Sequence, residues 1–328
     1  MAILITGSTG YIGSLLAQKL VAQGEELHLL CRTEPQIPGL QLPSVKIFKG
    51  DITDPESLRK ASVGVNQVYH LAGYARLWAK DPSIFETINV KGTENVLRAA
   101  TDAGVSKMVY TSTAGVIGPS KEKPMTESDP RIAGFFNEYE ETKTRAESIV
   151  GDYAKQGLNV STVSPARVYG PGLDTGSNPV TKIVELYMRG KWHFIPGSGE
   201  DIGSYCYIDD VVNGHVQAME RGGHGERYIF GGVNASFNEL MSMLAKLTGR
   251  RKKLWHLPFP LIKAFSYSQV GINKLTGRPP MITPNWVKRY DYNWELDSSK
   301  AVRELGYGIR PLEQGLQETI DWVKRNRL

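Results

Sequence analysis

Along the first half of the chain, apolar residues come in short runs separated by stretches with helical spacing. The runs are AILIT at 2–6, ELHLLCR at 26–32, VKIFKGD at 45–51, QVYHLAG at 67–73, KMVYTST at 107–113 and NVSTVSP at 159–165. Runs of this length, rich in Val, Ile, Leu and Tyr, predict strands. Between them, IGSLLAQKLVAQG closes on Gly24 and NVKGTENVLRAATDAG closes on Gly104, the pattern of helices with glycine stops. Strand and helix in alternation predict βαβ units and a parallel sheet. After Pro165 the alternation fails, and YGPGLDTGSNP and FIPGSGEDIGS read as loops. CYIDDVVNGHVQAMER and RYIFGG at 227–232 predict a return to the sheet. Beyond them Pro258, Pro260, Pro279, Pro280 and Pro284 break the chain into short elements, which predict a smaller lobe over the carboxyl edge of the sheet.

Composition adds limits. With 328 residues and 41% hydrophobic content, the chain can bury one large core or two joined ones. MAILITG has neither the basic start nor the apolar length of a secretory leader, and no run reaches the roughly 18 apolar residues of a spanning helix. The expectation is a soluble, cytoplasmic protein without stable membrane insertion. Two distant cysteines, Cys31 and Cys206, predict neither a disulfide framework nor a metal site. The net charge of +5 is mostly scattered, with one cluster, GRRKKLW at 249–255. A solvated face is the preferred reading of that cluster, over a nucleic-acid or membrane patch. The FPLIKAFSYSQVGINKL that follows suits a substrate-lobe helix, and its apolar content also suits a membrane surface, so peripheral contact by 249–275 stays open.

ITGSTGYIGSLL carries Gly7, Gly10 and Gly13 directly after a strand and at the opening of a helix. The first glycine permits a tight turn, the second lets a diphosphate approach the backbone, and the third lets helix and strand pack closely. This setting predicts dinucleotide binding and an α/β fold of Rossmann type: a doubly wound parallel sheet with a smaller, mostly C-terminal substrate-binding lobe. Residues 1–165, plus about 206–232, form the cofactor domain, and 166–205 with 233–328 form the substrate lobe. The second strand ends HLLCRTE, with Cys31 where an acid would serve a free ribose hydroxyl and Arg32 behind it. That favours NADP over NAD, the competing reading being that Glu34 meets the ribose. Asp51 is placed for the adenine amino group or, alternatively, as the N-cap of the next helix.

EYEETKTRAE at 138–147 sets Tyr139 four residues before Lys143. On a helix the two share a face, and an ammonium beside a phenol lowers its proton affinity. The strand just upstream offers Ser112 and Thr113 at an edge where open α/β sheets bind ligands.

TGSTGYIG, HLAG at 70, NVKGTENVL at 89, YTSTAGVIG at 110, Tyr139 with Lys143, SPARVYGPG at 164 and YIDDVVNGH at 207 occur in the order found in extended short-chain dehydrogenases/reductases, and the sequence resembles that family from residue 1 to about 245. The resemblance implies a catalytic set of Thr113, Tyr139 and Lys143: the hydroxyl bonds the substrate oxygen, the phenol moves the proton, and the amine holds the nicotinamide ribose and keeps the phenol acidic. It further implies that the cofactor meets Gly7, Thr9, Gly10, Tyr11, Ile12, Gly13, Arg32, Asp51, Ile52, Leu71, Ala72, Gly73, Ser112, Tyr139, Lys143, Pro165 and Val168. Asn89 corresponds to a helix asparagine that supports the site through its backbone. Homodimers are frequent in that family.

The substrate side divides two ways. Nucleotide-sugar enzymes of the family often carry an Arg before the strand leading into the Asp pair, but here IGSYCYIDDV has Gly203 and Ser204 there. Arg167 or Arg278 could substitute. AGYARLWAKDP at 72–82 brings Tyr74 and Trp78 beside the nicotinamide place, where aromatic walls suit an apolar substrate, ordinary packing being the alternative for Trp78. These segments resemble dihydroflavonol-reductase-like proteins and a hopanoid-associated sugar epimerase group. The substrate set is Tyr74, Trp78, Thr113 and Tyr169, and the expected ligand is a small carbonyl or alcohol reduced or oxidised with NADP(H). A nucleotide-sugar epimerase or dehydratase is the alternative.

Overall fold

The computed structural model describes residues 1–35, 37–174, 176, 178–250, 253–276, 280 and 282–328. The first half runs β1 (Ala2–Thr6), α1 (Tyr11–Ala22), β2 (Leu27–Cys31), β3 (Val45–Lys49), α2 (Pro55–Ala61), β4 (Val65–His70) and α3 (Ser83–Phe85). A π-helical turn (Glu86–Lys91) then leads into α4 (Gly92–Asp102), β5 (Lys107–Thr111), α5 (Ala114–Ile117), α6 (Glu138–Lys155) and β6 (Val160–Pro165). The second half continues β7 (Arg167–Tyr169), α7 (Pro179–Met188), β8 (Phe194–Pro196), β9 (Ile202–Tyr207), α8 (Ile208–Arg221), β10 (Arg227–Phe230), β11 (Val233–Ser236) and α9 (Phe237–Thr248). It closes with β12 (Trp255–Leu257), α10 (Phe259–Thr276), α11 (Pro284–Val287), a 3-10 turn (Lys288–Asp291), α12 (Ser299–Leu305) and α13 (Leu312–Asn326).

Seven strands form one sheet in the order β10-β6-β5-β4-β1-β2-β3, and its pairings are parallel throughout. This is the doubly wound Rossmann arrangement, with the order of strand addition reversing between β1 and β4. Both faces are covered. Ile3, Ile5, Tyr69 and Val109 pack with Leu16, Leu20 and Val211 on one side, while Leu4, Val68, Met108 and Tyr110 pack with Val96, Leu97 and Ala146 on the other. Successive strand residues point to opposite faces, so a sheet sandwiched between helices needs unbroken apolar runs. The lateral strand β3 is largely exposed, and Lys46 and Lys49 on it discourage pairing with another chain.

Two smaller sheets lie outside. β11-β9-β7 is mixed, and β12-β8 is a parallel pair. The segment FIPGSGEDIGS, which reads as loop, in fact supplies β8 and the start of β9. Three-residue strands leave too short a periodicity to register in sequence. CYIDDVVNGHVQAMER returns to the sheet as helix α8, which packs against β5 and β6. No described helix is long and apolar enough to cross a membrane.

Candidate active site

Two strands end earlier than their apolar runs. β4 stops at His70 and β5 at Thr111, so Leu71–Gly73 and Ser112–Thr113 leave the sheet as loop at the reversal point. Thr113 instead caps α5, its hydroxyl oxygen accepting from the Gly115 amide at 3.1 Å. The side chain that would touch substrate is therefore held by the backbone of the turn it starts.

The glycine turn is shaped for close approach. Gly7 has φ of 80°, and a methyl group there would sit 2.5 Å from the Ala72 amide nitrogen. At Gly13 a methyl would come 2.2 Å from the Gly7 carbonyl. Gly10 is the N-cap of α1 and brings no side-chain cap, so the first-turn amides of the helix are left for a partner such as a diphosphate. Thr9 is exposed and Ile12 half-buried. Tyr11 turns inward, its hydroxyl donating to the Gly170 carbonyl at 2.9 Å, which leaves only its backbone for a cofactor.

At the adenosine end, Arg32 and Glu34 are both exposed. Cys31 is buried, its Sγ 3.2 Å from Ser8 Oγ, and burial pushes its thiol up. Asp51 Oδ1 accepts from the amide and hydroxyl of Thr53, both at 2.9 Å. The N-cap of α2 is Asp54, not Asp51: Pro55 fixes the first helical position and puts the cap immediately before it. Ile52 is buried, and its Cδ1 would lie 2.6 Å from a methyl at Gly92.

Helix α6 brings the catalytic candidates to the opening. Asn137 caps it, accepting from the Glu140 amide at 2.9 Å. Tyr139 is half-buried, and burial pushes its hydroxyl up to about 12, with a hydrogen bond from Thr113 pulling the other way. Lys143 is buried. Its Nζ donates to the Thr111 carbonyl at 2.8 Å and lies 4.2 Å from the centre of the Tyr110 ring. Burial lowers the amine to about 7, opposed by the charge of Glu147. The sequence expectation of a phenol kept acidic by this amine differs from the directions found: the amine holds the strand end and is itself depressed, and the phenol is raised. Tyr139 at neutral pH is thus a held proton, suited to donation.

Behind Lys143 lies Glu147, one further turn along the same face. It is buried, Arg227 Nη2 approaches its Oε2 to 2.5 Å, and burial raises its carboxyl. Ser112, whose buried hydroxyl finds no hydrogen-bond partner of good geometry, faces it. Toward the other end of the helix, buried Glu140 is held by Arg131, Nη2 to Oε2 at 2.6 Å, and by Arg289. Arg131 also donates to the Gly115 carbonyl. Arg289 lies 3.6 Å from the centre of the Trp294 ring and 4.4 Å from that of Trp286. EYEETKTRAE reads as a charged surface, yet it hides three charged side chains. Their spacing at 140, 143 and 147 is the signal that could have revealed them.

Asn89 sits on the π turn, a common device at functional sites. Its side chain is engaged: Oδ1 accepts from the Tyr74 amide at 2.7 Å and Nδ2 donates to Thr142 Oγ1 at 3.1 Å, while its carbonyl accepts from Thr93 Oγ1 at 2.7 Å. This pins the Leu71–Tyr74 loop to α6. Tyr74 meets the edge of Phe85, ring centres 5.0 Å apart, and Trp78 is half-buried. His70, between Thr6 and Thr93 at 2.6 and 3.0 Å, is buried and pushed down to about 3, by burial first and then by Lys143. It is a neutral strut.

Pro165 closes β6 in register with Phe230, and Val168 is buried on β7. Tyr169 is removed from any substrate. It is 0% exposed, packed edge-on to Tyr207, and α13 approaches so closely that a methyl at Gly315 would lie 2.2 Å from its hydroxyl. A three-residue strand alternates faces, and this residue takes the core side. The Arg167 guanidinium lies beside position 203: a methyl at Gly203 would meet Nη1 at 2.3 Å. The guanidinium lies 5.6 Å from the centre of the Tyr205 ring. Arg278 lies outside the described residues.

Comparison with known proteins gives the family and the fold. The family model described as "NAD dependent epimerase/dehydratase family" matches residues 3–231. A putative dihydroflavonol 4-reductase of Synechocystis is 28% identical, over 98% of this chain and 94% of that protein. Sterol demethylase protein B of Methylococcus capsulatus is 28% identical, over 99% of this chain and 98% of its own. Among solved structures, UDP-glucose 4-epimerase of Thermotoga maritima with UDP-glucose superposes with a TM-score of 0.81 at 26% identity, covering 99% of each chain.

Proposed function

The chain belongs to the NAD dependent epimerase/dehydratase family, and from that premise we propose that it is an NADP(H)-dependent oxidoreductase interconverting a carbonyl and an alcohol on a small apolar substrate. That it is an enzyme acting with NAD(P) follows from the family and its relatives. The observation that carries the finer reading is the placement of Tyr139, hydrogen-bonded to Thr113 and one turn before buried Lys143 on α6.

The residues fit a dinucleotide, since the first turn of α1 opens on Gly10 with no side-chain cap, behind a glycine turn whose backbone contacts leave no room for a Cβ at Gly7 or Gly13. The bound cofactor supplies or accepts the hydride. Thr113 orients the substrate oxygen, Tyr139 delivers its proton, and Lys143 bonds the ribose while holding the end of β5. Exposed Arg32 in place of a ribose-binding acid favours the 2′-phosphate of NADP. Residues 1–165 with about 206–232 carry the cofactor, and the remainder forms the substrate lobe. Tyr74 and Trp78 make an aromatic wall, and the names of two relatives, a dihydroflavonol reductase and a sterol demethylase component, agree with an apolar ligand.

One observation favours a second reading. Arg167 over Gly203 restores a cation where a sugar nucleotide needs one, as expected of an epimerase or dehydratase. A panel of aromatic ketones, sterols and UDP-sugars, assayed with NADPH and NADH, tests both. Net NADPH oxidation with an apolar ketone is expected. Conversion of a UDP-sugar with no net change in reduced cofactor would overturn the reductase reading. In Arg32→Asp, an unchanged ratio of NADPH to NADH use would refute the phosphate assignment.

A further inference from the structure

We propose that β12, α10 and their basic surround dock this protein onto an anionic lipid surface. β12 pairs with β8 so that Trp255 stands opposite Phe194, and both rings are open to solvent, 58% and 50% exposed. One proline later the chain enters α10. Ile262 and Ser266 hold that helix to the protein, and the outward side carries Leu261, Phe265 and Ile272, 59%, 48% and 46% exposed. At about 100° per residue these three fall within about 40° of one another. Tyr267 is also exposed, about 120–160° round the helix from that stripe.

Folded chains seldom leave an aromatic pair and an aliphatic stripe on one continuous segment uncovered, and such patches mark contact surfaces. Charge identifies the partner. Between Glu239 and Asp291 the sequence has no acidic residue. Lys253, exposed, places its Nζ 4.7 Å from the centre of the Trp255 ring, and Lys263 and Lys288 are also exposed. An indole and a lysine together suit the headgroup level, where an amphipathic ring has one end apolar and the other wet. Aliphatic Leu261 and Ile272 have no role against a nucleic-acid phosphate or base but suit acyl chains. A helix partly buried in the protein and apolar on its free side lies in the interface plane rather than crossing it, and each cation adds attraction to anionic headgroups.

The position has a functional sense. Phe259, at the start of α10, packs on Tyr290 with ring centres 5.5 Å apart, and neighbouring Arg289 grips Glu140 on the catalytic helix. A docked α10 would set the substrate side against the bilayer. The inference does not rest on the carbonyl chemistry, which could fail while docking holds.

Co-sedimentation of the full chain with phosphatidylcholine vesicles, and with vesicles containing about 30% phosphatidylglycerol, tests it. Retention should be at least about tenfold greater on the anionic vesicles and should fall in high salt. Leu261→Ser with Phe265→Ser should reduce retention about tenfold, and Lys253→Glu less, at unchanged Tm. Equal retention of parent and double variant would overturn the proposal. So would tighter binding to a duplex oligonucleotide than to anionic vesicles. A parent that sediments as a dimer, ignores vesicles and becomes monomeric in the double variant would assign the patch to a second copy instead.

Discussion

Glu140 and Glu147 lie on one helix, one turn to either side of Lys143, and both are buried, yet they are held in opposite ways. Glu147 faces the sheet and meets one guanidinium, Arg227, whose side chain is 36% exposed; its carboxyl is raised. Glu140 faces the outer lobe and meets two, Arg131 and Arg289, with side chains 14% and 16% exposed. The inner acid bears on the charge of Lys143, whereas the outer one bolts the 288–291 turn to the start of α6. The two acids thus hold different partners about two turns of helix apart.

That separation can be broken by experiment. Tyr139→Phe, beside Glu140 at the start of the helix, should lower kcat by about 10²–10⁴-fold while leaving Tm and cofactor affinity nearly unchanged. A large loss of Tm would mean that the phenol belongs to the bolt. Glu140→Ala leaves two buried guanidinium groups without their carboxylate and should cost about 3–5 kcal/mol in denaturant unfolding. Glu147→Ala should cost less, because Arg227 can turn to water; equal costs would erase the difference between the two sides.

Titration sharpens the contrast further. With Tyr139 at about 12, alcohol oxidation, which needs the phenolate, should accelerate through the alkaline range, while carbonyl reduction stays flat there. An oxidation rate that levels off below pH 8 would contradict a raised phenol. The smallest effect concerns Lys143, at about 7 against an ordinary 10.5. Between those values the folded state binds fewer protons than the unfolded chain, so burial of this amine costs stability at low pH and the cost is relieved as pH rises. Lys143→Met should therefore raise Tm more at pH 6 than at pH 9. A gain independent of pH would show that the amine stays charged in the folded protein.

The same division explains what could be read in advance. The sheet, the glycine turn and the Tyr139–Lys143 pair depend on local periodicity and on short connections, and they lie where the sequence puts them. Arg289 and Glu140 are 149 residues apart, Arg167 meets Gly203 on the neighbouring strand 36 residues on, and Tyr169 is buried against Tyr207 and α13. Such contacts are set by how the outer segments fold back, which no local pattern encodes. Asn89 was found from its place in a motif, but its use of the side chain depends on the π turn, which has no distinct sequence signature of its own.

The hydrogen bond between Ser8 and Cys31 ties one of the two cysteines beneath the glycine turn, and the other, Cys206, is buried in the core. A thiol reagent therefore meets neither until the structure breathes. The alkylation half-life of Cys31 becomes a clock for opening of the nucleotide cradle, and Cys206 serves as an internal reference for opening of the remainder.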